Sequence, residues 1–337
     1  MTLTDSYAHE AVEAPLEVCD LADMPDAEWD AFVDRCYNGT LFHKRAFLAY
    51  HEPGRFHFTW LGFRDGHGAL MGVLPCVIRH GELLSPMGAS YGGIIALPSS
   101  FSMMWRMVDA LQRWVRQQEL RRVSFTYAPL TYNRGMSQDL DFAMLYGGFQ
   151  NSRNLFSSVV DLSAFDDEDP THHLTPMGRR AIRKSEKEGI VVSESDDLAE
   201  YYPILEENKR KFDVKPAHSL AELERIRTLV PGTWRLMAAR HEGELVAGVL
   251  TTHCNPRVLL AFYIASRPEY QHMRPVNRVL FDTAKWARAN GYYFLDLGVS
   301  MNTASDNPME PAWSLISFKE FIGSRGFLRP SYTWTPT

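Results

Sequence analysis

Apolar residues recur along this chain with two periods. Met104, Met107, Val108, Leu111, Trp114 and Val115 fall at helical spacing and predict a helix from Met103 to Glu119. Trp29, Phe32 and Val33 do the same between Asp26 and Cys36, with Pro25 and Asp26 as a start signal. Phe42 to Tyr50 reads as a second short helix after the Asn38-Gly39 turn. Phe56 to Arg64 and Leu70 to Arg79 are instead rich in aromatic and β-branched residues around a glycine-containing turn, which predicts an antiparallel hairpin. Val123 to Tyr127 follows as a strand, and Val159 to Leu162 as the strand that closes a first domain. Acidic Phe165 to Pro170 reads as a connection. Helices are then expected at Pro176 to Glu188, stopped by Gly189, at Leu198 to Phe212 and at Leu220 to Leu229. Strands follow at Trp234 to His241, Glu244 to Cys254 and Val258 to Ala265. A helix from about Pro275 to Asn290 has proline at its first position and Gly291 just past its end. A strand at Tyr293 to Leu297, a helix at Trp313 to Ile322 and a short strand near Tyr332 complete the chain.

The two halves of this pattern read alike. Asp65-Gly66-His67-Gly68 turns before Gly72-Val73-Leu74, and Glu242-Gly243 turns before Gly248-Val249-Leu250. Ser90-Tyr91-Gly92-Gly93 and Tyr263-Ile264-Ala265-Ser266 come next, then a helix with Trp114 or Trp286, then an apolar strand. Gly72 to Gly248 is 176 residues and Trp114 to Trp286 is 172. That period is far longer than a solenoid repeat, so the pattern predicts a pair of similar domains.

The 337-residue length is enough for about two domains. A net charge of −6 argues against a non-specific nucleic-acid binder, DNA included. Cys19, Cys36, Cys76 and Cys254 are widely spaced and make no metal-ligand pattern, so no metal is expected and a reduced, cytoplasmic setting is. The first twenty residues carry five acids and no Lys or Arg, unlike a signal peptide. No apolar run approaches the ~20 residues that span a bilayer, although peripheral membrane contact stays open. There is no Walker A, dinucleotide fingerprint, H-E-x-x-H or nucleophile elbow.

Five segments resemble the tandem GNAT-fold acyltransferases, most closely the FemAB-like aminoacyltransferases. They are Asn38 to His43 with Phe47 to His51, Gly178 to Lys184 with Gly189, Phe262 to Ser266 with Arg274-Pro275, Asp296-Leu297-Gly298, and Phe318 to Gly323. The resemblance implies an α+β (mixed α/β) fold of two GNAT-like domains, each a mostly antiparallel sheet flanked by helices. After an acidic tail over residues 1–15, residues 16–165 would form the acceptor side, expected to be catalytically silent, and 166–337 the catalytic domain. It implies an N-acyltransferase that moves an acyl or aminoacyl group from acyl-CoA or aminoacyl-tRNA to an amine or hydroxyl of a lipid- or nucleotide-linked envelope or exopolysaccharide precursor. Two departures matter. The two shorter helices expected over 198–229 cannot make the long helical arm that some Fem enzymes insert in the second domain, so tRNA contact through it is not implied. The glycine-rich turn that holds the CoA pyrophosphate in GNAT domains is matched here by Gln271 to Pro275, which has no glycine.

Acyl transfer requires alignment, oxyanion stabilisation and management of one proton. The resemblance assigns the oxyanion or donor-phosphate contact to Lys319, with Phe318 positioning it. Asp296, ending an apolar strand before a glycine, is either a general base or a loop-capping carboxylate. Tyr263 and Ser266 sit where a central strand would splay to admit substrate; Tyr263 is a proton-donor candidate or a core aromatic. Arg180, Arg183 and Lys184 belong to a basic helix suited to phosphate, or simply to solvent. Lys44 is a candidate acceptor contact, and Tyr91 lies in the glycine-rich loop Ser85 to Gly93, which either approaches a ligand or only turns.

Overall fold

The computed structural model describes residues 15–166, 168–211, 214–302 and 305–336. The tail expected over 1–15, except Pro15, lies outside the described residues, as does Phe212. In chain order the elements are β1 (Glu17–Asp20), α1 (Asp26–Arg35), α2 (Arg45–Leu48), β2 (Phe58–Arg64), β3 (Leu70–Arg79), β4 (Glu82–Ser85), β5 (Ile95–Ala96), α3 (Phe101–Gln117), β6 (Arg122–Thr126), α4 (Asp139–Tyr146) and β7 (Gln150–Asp161). The second half gives α5 (Pro176–Lys187), β8 (Val191–Ser195), α6 (Leu198–Arg210), α7 (Leu220–Leu229), β9 (Trp234–His241), β10 (Glu244–Asn255), β11 (Val258–Ser266), α8 (Pro275–Ala289), β12 (Phe294–Val299), α9 (Trp313–Lys319) and β13 (Arg325–Trp334).

The helix ends follow local chemistry. Ser100 Oγ accepts from Met103 N at 3.3 Å to start α3, and Thr175 Oγ1 accepts from Gly178 N at 3.1 Å to start α5. Ser219 and Glu222 form a reciprocal capping box on α7. Gly72 and Gly248 mark the same place in the two halves. A Cβ on Gly72 would meet Met107 Sδ at 2.9 Å, and one on Gly248 would meet the Tyr201 ring at 2.8 Å. In each half a helix lies too close to the strand for a side chain there.

Each half is an antiparallel meander that continues into a parallel pair, β4 with β6 and β11 with β12. The halves then exchange their last strands. β13 pairs with β6 and β7, and β7 pairs with β12 and β13, so one sheet runs β1-β2-β3-β4-β6-β13-β7-β12-β11-β10-β9-β8. The short strand expected at Val159 to Leu162 is therefore corrected. It is twelve residues long, and both its neighbours come from the second half.

Helix α8 covers one face of the second half, packing Val279, Leu280 and Ala284 on Val249, Leu259 and Leu295. On the opposite face Tyr201 and Ile204 of α6 join Phe42 and Phe47 of the first half over Leu250 and Tyr263. Truncating such a buried side chain to alanine costs about 2–5 kcal/mol, so this shared layer fixes the halves around the centre described next.

Candidate functional site

Strands β11 and β12 pair over three positions, from Val258 with Phe294 to Leu260 with Asp296. β11 then runs on to Ser266 and β12 to Val299 with no further pairing between them. Backbone groups released where strands part need other partners. Lys319, at the end of α9, takes up two of them. Its Nζ donates to Gly298 O at 2.9 Å, Val299 O at 3.2 Å and Ser300 Oγ at 2.9 Å. The side chain is 3% exposed. Burial pushes its ammonium down to about 8, and the nearby Asp296 carboxylate offsets part of that fall.

Asp296 is fully buried. Oδ1 accepts from Ser157 Oγ at 2.7 Å and from Gly298 N at 2.7 Å. Oδ2 accepts from the Tyr132 hydroxyl at 2.9 Å and, more weakly, from the Tyr91 hydroxyl at 3.5 Å. A carboxylate offers about four acceptor sites; three donors at 2.7–2.9 Å hold this one, and the single Tyr91 proton is shared between it and the Tyr132 hydroxyl at 3.4 Å. Asp296 thus braces the turn at Gly298 and joins the two halves.

Tyr91 reaches Asp296 because the glycine loop folds back on its own sheet. Gly92 N donates to Thr126 O at 2.9 Å and Gly93 N to Ser85 Oγ at 2.8 Å. A Cβ on Gly92 would stand 2.4 Å from Pro86 N. The Arg329 guanidinium covers the Tyr91 ring at 4.7 Å.

The structure does not gather all the predicted residues. The Tyr263 hydroxyl is committed to His218, accepting from His218 N at 3.2 Å and lying 2.9 Å from Nδ1, while His218 Nε2 meets the Tyr50 hydroxyl at 3.1 Å. Burial drives His218 down to about 4 and Tyr263 up to about 12, so both are neutral near pH 7. Ser266 is buried, with its backbone held by the Asn208 side chain. Lys44 is paired with Asp34 at 2.7 Å and lines a separate cavity with His253 and Asn255.

Arg180 and Lys184 do reach Phe318. With Met177, Arg274, Asn277 and Phe321 they line a cavity of about 260 Å³ at the start of α8. Arg183 is exposed and outside that lining, and Arg179 is spent on Leu174 O at 2.6 Å. Arg274 holds a left-handed φ of 62° just before Pro275. This conformation is costly for a residue with a Cβ, and here it leads into the first turn of α8, facing the cavity.

Sequence reasoning missed Tyr132, Ser157, Ser158 and Ser300. Ser158 Oγ lies 2.9 Å from Ser300 Oγ, which ties β7 to the lysine. No motif marks a tyrosine in a loop or serines on a strand. The strand exchange that makes them neighbours was the missing information. Among the described residues no group of three or more His, Cys, Asp or Glu side chains is placed to hold a metal. No helix among them is long and apolar enough to cross a membrane.

Residues 178–306 match the family described as Acetyltransferase (GNAT) domain. The chain has a tandem GNAT fold. Superposed on the crystal structure of FemX it gives a TM-score of 0.69 at 13% identity, covering 93% of this chain and 96% of that one. It is also similar to L-PGS from Bacillus licheniformis, at TM-score 0.57 and 13% identity over 92% and 91% of the two chains. A tandem GNAT protein from the clavulanic acid biosynthesis pathway gives 0.50 and 13% over 96% and 99%. By sequence the chain matches no curated protein. The family match and fold together support an acyltransferase, with the GNAT match lying in the half that holds Lys319.

Proposed function

We propose that this tandem GNAT protein transfers an acyl or aminoacyl group from a phosphate-bearing donor, acyl-CoA or aminoacyl-tRNA, to an amine or hydroxyl of an envelope or polysaccharide precursor in the cytoplasm. Residues 166–337 are the catalytic side and 16–165 the acceptor side. The observation that carries the reading is Lys319, a buried ammonium held where β11 and β12 separate. The acceptor attacks the acyl carbonyl and a C–N or C–O bond forms. The acyl carbon's bond to the donor sulfur or oxygen breaks, and the acceptor's proton ends on the departing thiol or hydroxyl. Lys319 faces the developing oxyanion by exchanging one of its three internal bonds for the substrate oxygen. Its value near 8 suits it to give and retake that proton. The donor phosphates would meet Arg180, Lys184 and Arg274 beside Phe318.

The turn Gln271 to Pro275 favours aminoacyl-tRNA over CoA, and with it a strict Fem-type peptidoglycan transferase. It lacks glycine, and Pro275 removes one N–H from the start of α8. A silent binding protein is the reading favoured by the fact that all three Lys319 protons are already bonded internally. Thermal stability of the purified chain with acyl-CoAs and with a tRNA pool, added separately, separates the three. A ligand at a hundredfold excess over its Kd raises apparent stability by about 2.7 kcal/mol. A shift with either donor class identifies the donor, and no shift with any of them supports the silent reading. Turnover in Lys319→Ala equal to wild type would remove the assignment of the site.

A further inference from the structure

The first half holds a cavity of about 310 Å³ apart from the lysine centre. It opens among the Tyr37-Asn38 turn, the segment 127–133, α4, β7 and β13. Its lining differs in kind from that of the basic cavity. Tyr37, Tyr127, Phe327 and Tyr332 supply aromatic surface, and Asn133, Gln138, Asn151 and Asn154 supply amides. Asp141 is the one carboxylate, and no Lys or Arg lines the space.

The polar groups there are held in place. The Tyr332 hydroxyl donates to Asp141 Oδ1 at 2.9 Å, and a carboxylate with one such bond keeps capacity for further donors. Asn151 and Asn154 grip each other through reciprocal amide bonds of 3.2 and 2.8 Å. Asn133 fixes its amide nitrogen on Ser137 O at 2.9 Å. His43, 2% exposed, uses Nδ1 on Thr40 Oγ1 at 2.9 Å and also meets the Gly92 backbone. Burial pushes His43 down to about 4, so it is neutral.

We propose that this cavity binds an uncharged saccharide ring. Sugar hydroxyls both donate and accept, and fixed amides with a single carboxylate answer both needs without net positive charge. The C–H faces of a sugar need apolar, flat surface, which the part-exposed Phe327 ring offers, with Tyr37, Tyr127 and Tyr332 packed in the wall behind it. Its volume is at the small end of ligand sites, which suits one ring. A phosphate would meet Asp141 with no cation to offset the repulsion, whereas the cavity at α8 has three cations. The site is separate from the lysine centre but adjoins it. Leu130 lines the cavity while Tyr132 of the same turn reaches Asp296. Leu328 and Pro330 line it while Arg329 between them covers Tyr91.

Ligand-observed saturation-transfer NMR on the full chain with glucose, galactose, mannose, N-acetylglucosamine and glucose 1-phosphate tests this. At least one neutral sugar should bind, and glucose 1-phosphate should bind less well than glucose. Asp141→Asn should weaken the neutral sugar about tenfold, roughly the loss of one hydrogen bond to a charged group. Lys319→Ala should leave that binding unchanged, so the result does not depend on the acyltransferase reading. If Asp141→Asn melts early, Gln138→Ala at its exposed position carries the test, with an expected loss of about threefold. Absence of binding by all four neutral sugars, unchanged affinity in the folded variant, or loss of sugar binding in Lys319→Ala would each overturn the proposal.

Discussion

The two halves share a fold and differ at the positions proposed for chemistry. Where Leu260 pairs with Asp296, the first half pairs Leu84 with Ser124. Both halves end their last helical segment on a left-handed glycine two residues before the final strand, Gly148 at φ 83° and Gly323 at φ 79°. Four residues earlier stand Met144, buried in an apolar core, and Lys319, buried against carbonyls. The clefts differ too. β4 is four residues long and its following loop folds back onto β6, whereas β11 has nine and diverges from β12. Ionised groups are costly to bury unless every charge is met by partners. The first half shows that this architecture closes well without such groups. The second half keeps Lys319 and Asp296 buried, and stability is a poor reason to do so.

The strongest way to break the comparison is Met144→Lys. It places an ammonium in an apolar cluster with no carbonyl cradle, and should cost about 3–5 kcal/mol in urea unfolding without creating a second active centre. An undiminished unfolding midpoint would mean that the first half can satisfy a lysine there, and that the halves differ less than their cores imply. The converse change, Lys319→Met, gives the second half the first half's residue. It should retain the fold and lower turnover by about 10²–10³, the usual cost of removing one oxyanion donor.

Much of the frame was legible in sequence because periodicity and turn residues are local. Leu220–Leu229 and Trp234–His241 fall where the pattern put them, and Gly72 and Gly248 occupy equivalent strands. The four-residue strand β1 was missed because so few residues carry no period. The site was half legible. Lys319 and Phe318 stood out through the family resemblance, and Arg180 and Lys184 through their charge. Tyr132 and Ser157 became partners of Asp296 only through the strand exchange, a contact spanning 164 and 139 residues that no local pattern encodes. Tyr263 and Lys44 looked available as residues, yet His218 and Asp34 engage them.

Tyr132→Phe sharpens the comparison at the shared centre. It removes one donor from a buried carboxylate and should destabilise the chain by about 1.5–3 kcal/mol. The loss should appear as a single cooperative transition, because the donor and acceptor belong to different halves. Two separate transitions would show that the halves unfold independently. A smaller effect is expected from Arg180→Ala with Lys184→Ala. Both side chains are exposed, so losing them should raise the donor KM about tenfold, leave kcat nearly unchanged, and flatten the dependence of KM on salt.

The mildest probe is pH. Burial lowers the Lys319 ammonium from its ordinary range to about 8. If the cation faces the oxyanion, turnover should be nearly level below pH 7 and fall about tenfold between pH 7 and 9, following the protonated fraction. Stability should move the other way. A lysine whose folded value is depressed holds its proton at a cost, present in full below pH 8 and relieved as pH rises from 8 toward 10.5, because only the unfolded chain remains protonated there. Wild type should therefore gain thermal stability relative to Lys319→Met across that window while it loses turnover. A rate that falls together with wild-type stability would assign the pH limb to unfolding. A rate that rises through pH 8 would mean that the neutral amine, acting as a base, is the working form of Lys319.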